Sequence, residues 1–121
     1  MWVYRQITGA LVDPSGNVLA HGYSGRDTGK NNPAMQYVKA VGPIPVGEYF
    51  IGPPYDSPNV GPYTLSLEAV IGTDTRGRGD FKIHGDSRRA PGTASHGCLI
   101  FGPKVRQAIW KSGDRRLKVV E

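Results

Sequence analysis

Apolar and polar residues alternate from the first positions of the chain. Trp2, Tyr4 and Gln6 fall on one side of an extended segment and Val3, Arg5 and Ile7 on the other, so Trp2–Thr8 predicts a first strand. Ala10–Val12 continues the pattern into Asp13-Pro14-Ser15-Gly16-Asn17, a strong turn signal, and Val18–His21 returns from it as a hairpin. His21, at the hairpin's end, reads as an exposed polar residue. Gly22-Tyr23-Ser24-Gly25 opens an irregular polar stretch. Asn32 then suits an N-cap and Pro33 a first helical position, predicting a short helix over Ala34–Val38.

The two prolines of Gly42-Pro43-Ile44-Pro45-Val46-Gly47 exclude a regular central strand there, and Glu48–Ile51 reads as a strand. Gly52 to Pro62 reads as a loop, Tyr63–Leu67 as a strand with Tyr63, Leu65 and Leu67 on one face, and the polar run to Asp80 as a solvated rim loop. Phe81–His84 and Leu99–Phe101 are apolar runs too short for helices. Between Gly102-Pro103 and Gly113, Val105, Ala108 and Ile109 make the stripe of an amphipathic helix, and Arg116–Val120 closes the chain as a final strand. The predicted fold is mainly β: a small β-sandwich or partly closed barrel with a peripheral helix.

Composition sharpens this picture. With 121 residues the chain suits one domain, 1–121, with one modest core. Its 17 glycines and 10 prolines disfavour a helical bundle and favour short strands joined by many turns. A single cysteine excludes an intramolecular disulfide, so packing must supply the stability. The net charge of +5 suits an acidic partner, whether nucleic acid, an anionic membrane surface or an anionic wall polymer. The one Arg-Gly-Arg-Gly element, Arg76 to Gly79, reads as a solvated loop rather than an RNA contact, so nucleic acid is not the expected partner. No apolar run reaches spanning length, so no stable membrane insertion is expected, and Met1-Trp-Val-Tyr-Arg lacks the pattern of a signal peptide.

The chemistry concentrates in Phe81-Lys-Ile-His-Gly-Asp86 and Ser95-His-Gly-Cys-Leu-Ile-Phe101, which hold the only cysteine and two of the three histidines. A cysteine thiol titrates near 8.5 and needs a base beside it to attack at neutral pH. If residues 95 to 100 are extended, His96 and Cys98 share a face, roughly 7 Å apart at Cβ. That is long for a direct hydrogen bond, so His84, arriving from a neighbouring strand, is the expected general base, with His96 supplying orienting or electrostatic support. Gly97 admits a substrate close to the backbone, and the amides of Gly97 and Cys98 suit an oxyanion.

These segments resemble the L,D-transpeptidase catalytic domain, whose motif is a histidine, a variable loop, then Ser/Thr-His-Gly-Cys and a hydrophobic residue. His84, Ser95, His96, Gly97, Cys98 and Leu99 stand at those positions. Ile100 stands where an asparagine or arginine is common in that family, and the small size, the shortened loop between His84 and Ser95 and the Gly-Pro-Ile-Pro segment are similar to a compact branch of type VI secretion effectors. The resemblance implies cysteine-dependent acyl transfer on peptidoglycan stem peptides, cleaving or exchanging the terminal D-amino acid. No cofactor or metal is implied. It also implies synthesis in the cytoplasm, delivery by secretion machinery to a target cell's periplasm or release, and a possible immunity protein.

Asp86, Arg88, Arg89, Ser95 and Tyr23 are the candidate substrate-binding residues. Asp86 suits a substrate ammonium or a histidine tautomer, and equally a turn. Arg88 and Arg89 suit a carboxylate, and equally a solvated loop. Ser95 suits a brace through local hydrogen bonds, and Tyr23 a wall of the cleft or a loop that supports the fold. The competing readings are a zinc-dependent wall hydrolase, since His84, Asp86, His96 and Cys98 are all ligand types zinc accepts, and a basic binding module without catalysis.

Overall fold

The computed structural model describes residues 1–121. Ten strands and one α-helix follow in chain order: β1 (Trp2–Arg5), β2 (Ala10–Val12), β3 (Val18–His21), β4 (Tyr23–Ser24), β5 (Gly47–Ile51), β6 (Tyr55–Ser57), β7 (Gly61–Ala69), β8 (Phe81–His84), β9 (Leu99–Ile100), α1 (Pro103–Lys111) and β10 (Arg116–Val120). They form one mixed sheet in the order β3-β2-β1-β10-β5-β7-β8-β9-β4, with β6 paired to β7 off that path. The pairs β1–β10 and β8–β9 are parallel and the others antiparallel. The fold is thus mainly β with one peripheral helix, as the patterning predicts. Its ladder is open: no pairing joins β3 to β4, so the sheet is not closed into a barrel.

The two ends of this sheet are nevertheless consecutive in the chain, separated only by Gly22. The sheet must therefore coil until its edges face each other, in keeping with the right-handed twist of strands. Gly22 donates to the Gly9 carbonyl at 2.8 Å. A Cβ at this position would lie 2.1 Å from the Ile100 carbonyl oxygen, so only glycine fits the crossing.

Inside the coil lies a single core. Trp2 and Tyr4 from β1, Leu11, Tyr49, Ile51, Leu65, Leu67, Phe81, Ile83, Leu99, Leu117 and Val119 supply it from the strands, with Ile44, Phe101 and Ile109 from other segments. Tyr49 and Phe81 meet edge to face at 5.9 Å between ring centroids, the geometry that ring quadrupoles favour. Gln6 is buried with the apolar face of β1, as alternation predicts, and its amide donates to the Ile44 carbonyl at 2.8 Å.

Helix α1 begins after Gly102 with Pro103 in its first turn, and the chain leaves it at Gly113, where φ is +78°. It packs on β7 and β8. Arg106, buried on its inner face, donates to the carbonyls of Tyr63, Phe101 and Pro62. Trp110 packs on the core with the Arg115 guanidinium over its ring, an edge-packing role.

Two local expectations change. The predicted helix over Ala34–Val38 is only a 3₁₀ turn, Pro33–Met35. Asn32 caps it through the Ala34 amide as expected, but the Gln36 side chain bonds back to the Pro33 carbonyl and the chain turns away through Ala40 at φ +64°. The loop expected over Gly52–Pro62 contains β6, whose three residues hold a single strong β-former, Tyr55, between prolines.

Candidate active site

Period-two alternation along β8 decides which of its side chains meet the core. Phe81 and Ile83 point inward, leaving Lys82 and His84 on the opposite face. The parallel register sets Ile83 beside Leu99 and His84 beside Ile100, which brings Lys82 alongside Cys98. Lys82, His84, His96 and Cys98 line one cleft of about 570 Å³. Gly77 to Phe81, Lys39, Ala40, Ser57, Asn59, Val60 and Ala94 complete its lining.

The chain around the cysteine is not the strand expected over residues 95 to 100. It bends at His96 and Gly97, where Gly97 takes φ +132°, and pairing begins only at Leu99. The same-face relation between His96 and Cys98 therefore has no strand to support it. The bend has a local cause. The buried Ser95 hydroxyl donates to the Cys98 carbonyl at 2.6 Å and accepts from the Gly97 and Gly25 amides at 3.1 and 2.8 Å. From β4, the Ser24 hydroxyl donates to the Gly97 carbonyl at 2.9 Å and accepts from the Ile44 amide. Ser95 is thus a brace.

A second strut comes from a residue the sequence placed in a solvated loop. Arg78 is only 8% exposed. Its Nη1 donates to the carbonyls of Gln36 and Pro43, and its Nη2 to those of Gly42 and His96. The guanidinium so ties the Cys98 loop to the Gln36–Pro43 turn. It also closes the space beside Gly97, where a Cβ would stand 2.5 Å from Nη2 and 3.1 Å from the Phe81 ring.

His84 is buried, and its Nδ1 bonds the Gly85 carbonyl at 2.8 Å. A carbonyl can only accept, so Nδ1 carries the hydrogen and Nε2 is the free basic nitrogen on the cleft side. Burial is the main cause that lowers the His84 pKa, helped by the Arg106 and Lys82 charges and opposed by the Gly85 carbonyl and Asp86. Burial likewise raises the Cys98 thiol. The Lys82 backbone amide and ammonium and the Arg78 guanidinium oppose that rise, whereas Asp80 adds to it. Both shifts favour the neutral forms, so the resting cleft holds a thiol, directed at the Asp80 carbonyl at 3.9 Å, and an imidazole rather than a standing ion pair.

His96 is exposed, and its Nε2 accepts from Arg26 Nη1 at 2.8 Å. It lines the cleft but turns its basic nitrogen to an arginine. The Gly97 amide is also engaged, by Ser95, which removes it from the pair of amides expected to serve an oxyanion; the Cys98 amide makes no such bond.

The remaining candidates lie outside the cleft lining. Tyr23 donates to Asp86 Oδ1 at 2.6 Å and accepts from the Ala94 amide at 3.0 Å. Asp86 also accepts from the Ser87 and Gly92 amides. These bonds outweigh its partial burial and hold its pKa below the usual carboxylate value, while burial and the Asp86 bond push Tyr23 up to about 12. The two fasten the loop between Gly85 and Ala94 to β4, a turn-forming role. Arg88 and Arg89 are exposed on that loop and make no ion pair. No group of three or more His, Cys, Asp or Glu side chains converges to hold a metal ion, so the ligand types named for zinc do not assemble.

Sequence reasoning overlooked Lys82 and Arg78. The signal for Lys82 was present, since it stands two residues before His84 on the same strand face. Nothing in the Thr73–Gly79 composition foretold that Arg78 would turn inward.

A half-buried cysteine on the bend that leads into β9 and a buried histidine at the end of β8 line one cleft and form a candidate site for thiol-dependent acyl transfer. Residues 19–120 match the family model described as the Tlde1 domain, and the chain belongs to that family of type VI L,D-transpeptidase-like effectors. No curated protein and no solved structure matches the chain. Membership implies a peptidoglycan-targeting effector and suggests delivery to a target cell's periplasm. No helix is long and apolar enough to cross a membrane.

Proposed function

We propose that residues 1–121 act as one catalytic domain, an L,D-carboxypeptidase/transpeptidase of peptidoglycan stem peptides with Cys98 as nucleophile and His84 as general base. The observation that carries this reading is that Cys98 and His84 line one cleft, with His84 Nδ1 tied to Gly85 so that Nε2 is available. Because thiol and imidazole both start neutral, proton transfer accompanies attack. Nε2 takes the thiol proton as Sγ bonds to the carbonyl carbon of the third stem residue. The Cys98 amide is the backbone donor left for the oxyanion. Collapse breaks the C–N bond to the terminal D-amino acid, whose nitrogen takes the proton from His84, leaving a thioester on Cys98. Water then gives a shortened stem. A D-amino acid gives exchange, and a second stem amine gives a cross-link.

His96, bonded to Arg26, supports the cleft rim rather than moving the proton. Delivery through secretion machinery and neutralisation by an immunity protein in the producing cell accompany this reading. The test is mass spectrometry of purified muropeptides after incubation with the protein. Tetrapeptide stems should lose their terminal residue with wild type and persist with Cys98→Ala, and unchanged stems with folded wild type would overturn the proposal.

A further inference from the structure

The cleft must distinguish a terminal residue from an internal one, and a free α-carboxylate is what marks the end of a peptide. The cationic groups nearby differ sharply in availability. Both Nη atoms of Arg78 are committed to four carbonyls. Arg88 and Arg89 lie outside the lining, and Lys39, within it, is exposed on a turn.

Lys82 is differently placed. It is fixed on β8 and shares a face with His84, and the Cys98 thiol points to the carbonyl of Asp80, two residues before Lys82, at 3.9 Å. The strand register sets it alongside Cys98, across a spacing of about 4.8 Å between neighbouring strands. Its side chain is 19% exposed, and its partner is Asp80, whose side chain is 88% exposed. Asp80 takes φ +60°, a conformation aspartate tolerates, and from there its carboxylate reaches the Lys82 ammonium. Burial weakens the charged form of Lys82, but the Asp80 carboxylate overrides it and holds the pKa above the ordinary lysine value.

The cation is therefore held in the cleft wall and its anion stands in water at the mouth. A ligand carboxylate that takes the place of Asp80 makes the same charge-assisted bond to Lys82, while Asp80 stays solvated. In the leaving amino acid, the carboxylate is two bonds from the scissile nitrogen, so a carboxylate recognised next to Cys98 belongs to the residue that departs. We propose that Lys82 is the carboxylate-binding residue of the Cys98 cleft, that Asp80 is its exchangeable counterion, and that the pair restricts attack to the last peptide bond of a stem with a free C-terminus. This rests on the acyl-transfer reading and adds its selectivity.

The test separates the two. The rate of Cys98 alkylation by anionic iodoacetate is divided by the rate with neutral iodoacetamide. This quotient cancels changes in thiolate population and needs no turnover. Lys82→Gln should lower it about three- to tenfold, Lys82→Arg should restore it, and Asp80→Asn should raise it above wild type. In a second arm, tetrapeptides ending in a free carboxylate or a carboxamide serve as substrates. Lys82→Gln should raise KM for the carboxylate peptide roughly 10- to 100-fold and leave KM for the carboxamide peptide near wild type.

An alkylation quotient insensitive to all three substitutions, or equal KM changes for both peptides, would overturn the assignment. If wild type turns over neither peptide, the acyl-transfer reading fails, and the alkylation quotient still decides whether Lys82 receives anions. Should Lys82→Gln fail to fold by circular dichroism, Asp80→Asn decides alone, and an unchanged quotient there counts against the proposal.

Discussion

Replacing Gly97 with alanine strikes the bend that presents Cys98. At φ +132° a Cβ is strained whatever space surrounds it, at about 1–3 kcal/mol. The added carbon also falls 2.5 Å from Arg78 Nη2. That atom cannot swing aside freely, because it donates to the carbonyls of Gly42 and His96. Displacing it forfeits at least one charge-assisted bond, a further ~1.5–3 kcal/mol. The reduced chain entropy of alanine in the unfolded state returns about 0.4–1 kcal/mol. The net destabilisation is roughly 2–5 kcal/mol, which for a chain of this length lowers Tm by about 8–20 °C.

Thermal melts followed by circular dichroism, with urea titrations for the midpoint, provide the measurement. Gly52→Ala is the control: its nearest would-be Cβ contact is an ordinary 3.6 Å, and its φ lies outside the left-handed region, so its melting point should hold or rise slightly. Introduced into Arg78→Met, the Gly97→Ala change should cost less than in wild type, because the clash partner has gone. A Gly97→Ala protein as stable as wild type would falsify the rigidity assigned to this loop.

Three further outcomes follow from the site. Since burial raises the Cys98 thiol, folded protein holds less thiolate than an unfolded chain at any given pH, and iodoacetamide alkylation should rise with a midpoint above that of free cysteine; a midpoint near 6 would mean a standing ion pair with His84 instead. His84→Ala should cut turnover by about 10²- to 10⁴-fold, and His96→Ala by less, because the His96 Nε2 is already bonded to Arg26; the reverse ranking in folded variants would contradict the assignment of the base. Turnover should survive dialysis against a strong chelator, since a thiol, an imidazole and a backbone amide suffice for the chemistry, and loss restored by zinc alone would point to metal hydrolysis.

Much of this arrangement is legible in the order of residues along the chain. Alternation along Trp2–Gln6 identifies the buried face of β1 down to the polar Gln6, because period two is a property of the backbone and not of residue type. Pro103 and Gly113 bracket α1 because their allowed dihedrals suit the two helix ends. His84 and Cys98 line one cleft, which their motif spacing suggests and which the β8–β9 ladder, starting just after Cys98, helps to form.

What escapes the sequence is set by tertiary contacts. Whether Ser95-His96-Gly97-Cys98 runs extended or bends depends on where the Ser95 and Ser24 hydroxyls find partners, and those lie across the fold. Arg78 turns inward only because four carbonyls from distant segments converge on it. For Asp86 the residue order leaves a substrate contact and a turn both open, and the bonds its carboxylate accepts from the Ser87 and Gly92 amides and the Tyr23 hydroxyl are visible only in the fold.

The central claim, that Cys98 carries the acyl group with His84 moving the proton, is tested most directly by the mass of the intact protein. Wild type quenched in acid during incubation with a tetrapeptide stem should gain the mass of the stem less its terminal amino acid. The adduct should map to the peptide containing Cys98 and be released by hydroxylamine, as a thioester is. His84→Ala should accumulate it far more slowly, and Cys98→Ala not at all. Turnover by folded Cys98→Ala, or processing in which the acyl group is found on another residue, would contradict the account.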